Sequence, residues 1–348
     1  MKRFLNTLDK FWFAEAPAAR LALLRILIGA FSLWYLAPRY SMFLKMGNTE
    51  QSLFEPVGII ELLLGAPLPT QAFHALVVLT LAANIAFLFG WRHKFSGPAF
   101  AALLFFVLSY RNSWSMIFHS DNVLVLHVLI LGIARAADAL SLDALRARTS
   151  PAHDGQVGYL HAYAGTAPRL AGDWRYGWPI RLISLVTLCS YFLAGVAKVA
   201  GPMGWTWATG ESLRSQIAVD SLRKELLGGV APPAFLTIYD NLYLFTIMAV
   251  VSMAVELLAP MVILNKRAAQ VWAVIAFLGH WGIFFVMGIT FRYQMSGMIF
   301  ASFFDVERAV EWLRARFNRD AQPSTRLRPA VSAFNQQLVS HGYAEKEK

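Results

Sequence analysis

Read end to end, the sequence is a succession of apolar runs separated by short polar turns. The runs cover 18–36, 70–90, 97–110, 122–136, 179–200, 243–264, 268–290 and 291–304. Most approach the roughly 20 residues that an α-helix needs to cross a hydrocarbon layer. Within lipid every backbone N–H and C=O must be satisfied inside the protein, which leaves only helices and closed barrels. Runs of this length are helical, so the expected fold is all-α: a polytopic integral membrane helical bundle of about eight transmembrane helices, flanked by interfacial amphipathic helices. The last run, 291–304, is too short for a normal helical crossing unless it begins before Arg292 or the bilayer thins locally.

Composition agrees with the pattern. Hydrophobic residues make up 57% of the 348 and charged residues 15%, against the roughly 25% charge of soluble domains. A net charge of +10 would suggest nucleic acid in a soluble protein. Here the basic residues fall in clusters between apolar runs, where they set topology, and nucleic-acid binding is set aside. The single cysteine, Cys189, excludes an internal disulfide, a CxxC redox pair and a cysteine metal cluster.

Three basic stretches fix the expected orientation: Trp91-Arg92-His93-Lys94, the 138–178 loop with Arg146, Arg148, Arg169 and Arg175, and Asn265-Lys266-Arg267. All land on one side, which the positive-inside rule makes cytoplasmic, and both termini fall there too. The 41–67 loop carries Glu50, Glu55 and Glu61 against Lys45 and faces outside. Residues 2–13 place Leu5, Leu8, Phe11 and Trp12 on one face, the pattern of an interfacial segment leading into a retained first span rather than a cleaved signal. Residues 205–233 form a weakly amphipathic stretch, with Leu213 and Ile217 on one face and Leu222 and Leu226 drifting off it, suited to lie along the outer surface like a lid. Asp305 caps an amphipathic helix over 306–317, so a membrane domain of 1–317 is expected before a polar cytoplasmic tail of 318–348.

Ionisable residues within or at the ends of spans are few: Arg25, His74, His119, His127, Lys198, Glu256 and His280. Arg25 either snorkels toward the headgroups or has a partner inside. His74 and His127 read as helix-to-helix hydrogen-bonding residues. Glu256 reads as a member of a polar network, with Arg25 a candidate partner. Lys198 ends the stretch Tyr191-Phe-Leu-Ala-Gly-Val-Ala-Lys198, just before Gly201-Pro202 stops the helix. Tyr191, Ala194, Gly195 and Lys198 share a face whose small residues invite a neighbouring helix. Two readings stay open for it, a snorkelling cation and a functional amine. The topology places His119 and Lys198 at the outer ends of successive spans, where the two would form a general-base pair facing one membrane-open pocket. No metal, phosphate or nucleophile-elbow motif is present, and no metal is expected.

The stretch from Tyr191 to Lys198, followed by Trp207-x-x-Gly210-x-Ser212, resembles the core of the vitamin K-dependent gamma-carboxylase family, whose bacterial relatives form the horizontally transferred transmembrane (HTTM) domain family. The resemblance runs from about Arg20 to Leu313 on short motifs. It implies a bacterial inner-membrane protein in which Lys198 is the base that deprotonates a membrane quinol, menaquinone or vitamin K-like, as cofactor. It further implies that His119, in His119-Ser120, assists, and that His280 matches a histidine of the penultimate span. Tyr191 and Trp207 belong with these as substrate-binding residues. The family's second motif lysine matches Lys198, while its first is Ala197 here. About four extra residues separate Lys198 from Trp207, and the family's large lumenal domain is missing, which weighs against carboxylation of a clotting-factor-like protein. The expected partners are the bilayer and a lipid-soluble substrate. A non-enzymatic membrane assembly protein and a transporter are the competing classes.

Overall fold

The structure is a computed structural model that describes residues 9–149 and 172–321. Residues 2–8 of the N-terminal segment, Arg169 of the long basic loop and the tail from residue 322 lie outside the described residues. Among the described residues the protein is all-helical, with strand limited to a two-residue antiparallel ladder that pairs β1 (Ala16–Pro17) with β2 (Gly172–Asp173). The longer helices are α1 (Ala18–Leu36), α2 (Thr70–Phe89), α3 (His93–Asn112), α4 (His119–Ile133), α5 (Trp174–Ala200), α6 (Glu211–Leu226), α7 (Leu242–Leu257), α8 (Lys266–Met287) and α9 (Val306–Ala321).

Four helical stretches are long and apolar enough to cross a membrane: Ala18–Met46, which continues α1 through a short 3-10 turn, then α2, α5 and α8. The apolar helices α4 and α7 are shorter, at 15 and 16 residues. Rows of exposed apolar side chains run down the outside, Val78, Leu79 and Ile85 on α2 and Val271, Ile275, Leu278 and Phe285 on α8. Such surface is a liability in water and at home in lipid.

The expected eighth span is not one helix. It is a four-residue helix, Arg292–Met295, followed by a 3-10 helix, Met298–Phe303. The segment descends antiparallel to α8: Phe291 meets His280 at 5.2 Å, Gly297 lies beside Phe277, and the Phe303 carbonyl accepts from Gln270 at 3.2 Å. Ile299 to Phe303 are all buried. Irregular backbone at membrane depth is tolerated where protein covers it, and a 3-10 helix rises about 2.0 Å per residue against 1.5 Å for an α-helix, so fewer residues cover the distance. The chain divides into two compact units between Phe304 and Asp305, so α9 belongs to the second of them.

Arg25 neither snorkels nor pairs with Glu256. It is fully buried, and its guanidinium donates to backbone carbonyls only: Ala136 from Nε at 3.0 Å, Phe87 at 2.7 Å and Leu88 from Nη1, and Leu140 from Nη2 at 2.7 Å. Phe87 and Leu88 end α2, where helix carbonyls lack intrahelical donors and a cation complements the dipole. Gly90 makes this approach feasible: its φ of +60° closes α2 in the left-handed conformation, and a Cβ there would lie 3.2 Å from the guanidinium carbon.

On the same side of the molecule α3 and α4 touch backbone to backbone, since a Cβ on Gly97 would meet the Gly132 carbonyl oxygen at 2.5 Å and one on Gly132 would meet that of Gly97 at 2.7 Å. Small residues at a crossing let helices approach closely in lipid. Gly132→Val is therefore expected to destabilise the bundle by about 1–3 kcal/mol, the cost typical of overpacking, and to lower the thermal midpoint in detergent. An unchanged midpoint would show that this crossing carries no constraint.

Candidate functional site

Asp173 starts α5, its Oδ1 accepting the Arg175 N–H at 2.8 Å. The Arg175 guanidinium returns to both carboxylate oxygens and holds that carboxyl below its usual range. From this anchored start α5 runs to Ala200 and ends where Gly201-Pro202 predicts. Gly195 lies one turn before Lys198, and a Cβ on it would stand 2.9 Å from Glu256 Cβ, so its missing side chain is what lets α7 close on α5. Ala194, expected on the same packed face, is exposed.

That close approach delivers Glu256 to Lys198. The Nζ donates to Oε1 at 2.5 Å and to Oε2 at 2.7 Å, with the lysine side chain 25% exposed and the glutamate 13%. The Trp207 ring stands 5.6 Å from Nζ, within cation–π range. Lys198 thus has protein partners on two sides, and the purely snorkelling reading does not describe it.

Lys198 stands in the last turn of α5, at the helix end that the sequence expects. Beyond Ala200 the chain continues as a 3-10 helix, Gly204–Thr209, laid along α7. Trp205 and Ala208 border a shallow apolar groove of about 280 Å³ whose other wall is Val250, Met253, Ala254, Leu257 and Leu258. Gly210 then packs on the Phe245–Thr246 backbone, where a Cβ would come within 2.3 Å of the Thr246 nitrogen, and its φ is +82°. Both facts demand glycine there. Ten residues of α7, about 15 Å of helix, separate Thr246 from Glu256, so Lys198 lies well short of the level that the chain reaches at Gly210. Above it α6 lies across α7 and α8, with Ile217 buried against Phe235 and Phe245 and Leu213 packed beside it, while Leu222 and Leu226 are exposed.

Two turns before Lys198, the Tyr191 hydroxyl sits 3.4 Å from His280 Nδ1, and its ring packs edge-on against Trp272 at 4.9 Å. His280 Nδ1 also lies 2.8 Å from the Ala276 carbonyl. That contact puts the proton on Nδ1 and leaves Nε2 as an acceptor. Trp272 Nε1 bonds the Val255 carbonyl at 2.8 Å, tying α8 to the turn of α7 that carries Glu256. Lys198, Trp207, Tyr191 and His280 are therefore gathered along α5, with Glu256 as the member that sequence reasoning assigned no role at the site. The spacing of Lys198 and Glu256, 58 residues apart, carries no sequence signal, but two opposite charges in successive apolar runs do.

His119 is not joined to this group. It is exposed as the first residue of α4, with no hydrogen bond or ion pair to Lys198 among the described residues. Its neighbour Ser120 donates to Gln294 at 3.0 Å. His127 bridges helices as its position implies: Nδ1 lies 2.8 Å from the Tyr293 hydroxyl and Nε2 3.2 Å from Thr187 Oγ1. His74 Nε2 is buried with no hydrogen-bond partner.

A second cluster, which sequence reasoning did not single out, occupies the end of the bundle opposite Arg25. Tyr35 donates to Asp121 Oδ1 at 2.9 Å and accepts from Arg111 Nη1 at 3.0 Å, while Arg111 Nη2 lies 2.6 Å from Asp121 Oδ2. Its signal was available: Arg39 and Arg111 stand on the side that sequence reading expects to face outside, where the positive-inside rule depletes arginine. Comparison of the chain with protein-family models, with curated proteins and with solved structures finds no match.

Proposed function

We propose that this chain is a multi-pass enzyme of the HTTM type, set in a bacterial inner membrane with both termini cytoplasmic, and that it deprotonates a lipid-soluble quinol at Lys198. The observation that carries the reading is the partly exposed Lys198–Glu256 pair, held under Trp207 beside an apolar groove. An amine must be neutral to accept a proton, and Glu256 at 2.5 Å is the group placed to take the proton that Lys198 gives up first. The ammonium formed when the amine then takes the quinol O–H proton balances the quinol anion. The groove between Trp205 and Leu257 suits a hydrocarbon chain, and the Tyr191–His280 pair supplies polar contacts two turns along α5. With dioxygen as co-substrate, quinol and O2 give quinone epoxide and water, one oxygen atom to each product.

His119 enters this scheme as an assisting residue through the family resemblance alone. A second reading, an assembly protein without catalysis, is favoured by one feature: a lysine that meets both oxygens of a glutamate is also a staple between α5 and α7. The test is incubation of the purified chain in nanodiscs with reduced menaquinone and dioxygen, with mass spectrometry of the quinone fraction. Epoxide above a heat-denatured control is the expected outcome, and its absence would sink the quinol reading.

A further inference from the structure

The 3-10 helix Gly204–Thr209 is a strap along α7, and its far end is pinned. The Thr246 hydroxyl donates to the Thr209 carbonyl at 2.6 Å, and Gly210 rests on the Phe245–Thr246 backbone with no room for a Cβ. In a 3-10 helix side chains three residues apart line up. Trp205 and Ala208 accordingly form one wall of the groove against α7, while the Trp207 ring between them stands 5.6 Å from the Lys198 ammonium. The facing wall is a stripe of α7 at helical spacing, Val250, Met253 and Leu257. The groove holds about 280 Å³ and carries no charged side chain on either wall. It extends from Val250 to Leu258, about 12 Å of helix.

One end of this groove lies at the candidate site. Leu257 follows Glu256 in the chain, and its Cδ2 would stand 3.1 Å from a Cβ on Gly195, one turn before Lys198. The flank is open, with Trp205 68% exposed, Val250 48% and Leu258 51%. An apolar groove that ends at an ion pair and opens sideways suits an amphiphile, its polar head at Lys198 and its hydrocarbon chain laid along α7. A hydrocarbon chain gains little by leaving lipid for equally apolar protein. Selection among chains therefore depends on the head they carry and on the fit of the groove. Ala208 controls the fit. It is half-buried, it is the small member of the strap wall, and it adjoins Trp207, so the width of the groove beside Lys198 is decided there.

We propose that Ala208 is a specificity-determining residue, which by its small size admits the hydrocarbon tail of the substrate to the groove beside the Lys198–Glu256 pair. The inference rests on the quinol reading for the head and on the groove for the tail. The test uses the full-length chain in nanodiscs, loaded with menaquinone, which carries a polyprenyl tail, or with menadione, the same ring without one. Native mass spectrometry reads the retained ligand, and epoxide from the reduced forms is followed in parallel. Ala208→Phe, and separately Val250→Phe from the opposite wall, are expected to lower retention of menaquinone about tenfold, the low end of what a methylene-sized change in an apolar pocket discriminates. Retention of menadione and the thermal midpoint are expected to stay as in wild type. Leu264→Phe, at an exposed residue outside the groove, is expected to change nothing. Tail-dependent retention without epoxide would uphold the groove and remove the quinol chemistry. Menaquinone held equally by wild type and both variants, or not held by wild type, overturns the proposal. So does an equal loss of both ligands, or a phospholipid retained in place of menaquinone.

Discussion

Arg25→Ala is expected to cost the bundle about 3–5 kcal/mol, enough to remove most of the stability of a marginal fold. The guanidinium satisfies carbonyls from three separate stretches, the end of α2, Ala136 and Leu140, and the bonds to Ala136 and Phe87 are fully buried. Truncation removes the guanidinium from all of those oxygens, of which Phe87 alone keeps a second donor in the Gly90 N–H, and opens a cavity beside Gly90, two of the mechanisms that produce large losses. Arg25→Lys restores the charge but not the fork. A single ammonium cannot reach acceptors that Nε, Nη1 and Nη2 address in different directions, so only part of the loss is expected to return. Folded yield and the thermal midpoint in detergent check both variants. An Arg25→Ala protein with wild-type yield and midpoint would show that the carbonyls find other donors and that the arginine is dispensable.

The same residue shows where sequence reading stops. That Arg25 lay too deep to be idle followed from its place in an apolar run. Its acceptors are main-chain atoms 62 to 115 residues away, which no side-chain pattern announces. Legible features were those fixed locally: the runs that become α1, α2, α5 and α8, the stop at Gly201-Pro202, and Gly195 as a point of close approach. That the 291–304 run is too short for a regular helical crossing was legible, whereas its folding as a four-residue helix and a buried 3-10 path was not. At the candidate site, the grouping of Tyr191 with Lys198 followed from helical spacing, whereas the identity of the acid opposite Lys198 depended on how α7 packs. For His119 the helix end was expected correctly, yet sharing an end of a bundle does not bring two residues together. The residues after it in α4 take partners other than Lys198, Ser120 bonding Gln294 and Asp121 accepting from Tyr35.

Lys198→Arg is expected to leave the fold intact while lowering quinol turnover on the order of 10²- to 10⁴-fold, the range for loss of a general base. Arginine keeps the ion pair, since a guanidinium meets a carboxylate through two parallel bonds, but it does not release its proton at physiological pH. Lys198→Ala is expected to abolish turnover as well, but it strands a partly buried carboxylate and is the poorer probe of mechanism. Glu256→Gln retains an acceptor for the amine and removes the group that takes its proton, so it should resemble Lys198→Arg in rate and wild type in stability. Exchanging the two, Lys198→Glu with Glu256→Lys, keeps the staple between α5 and α7 but moves the amine to the other helix. The two functional classes then separate. A base requires its amine on α5 beside Trp207, and the exchange should be inactive; a staple requires only opposite charges, and the exchange should restore whatever Lys198→Ala loses. Full activity of Lys198→Arg, or rescue by the exchange in an epoxidation or complementation assay, would retire Lys198 as a base and leave the pair as a helix clasp.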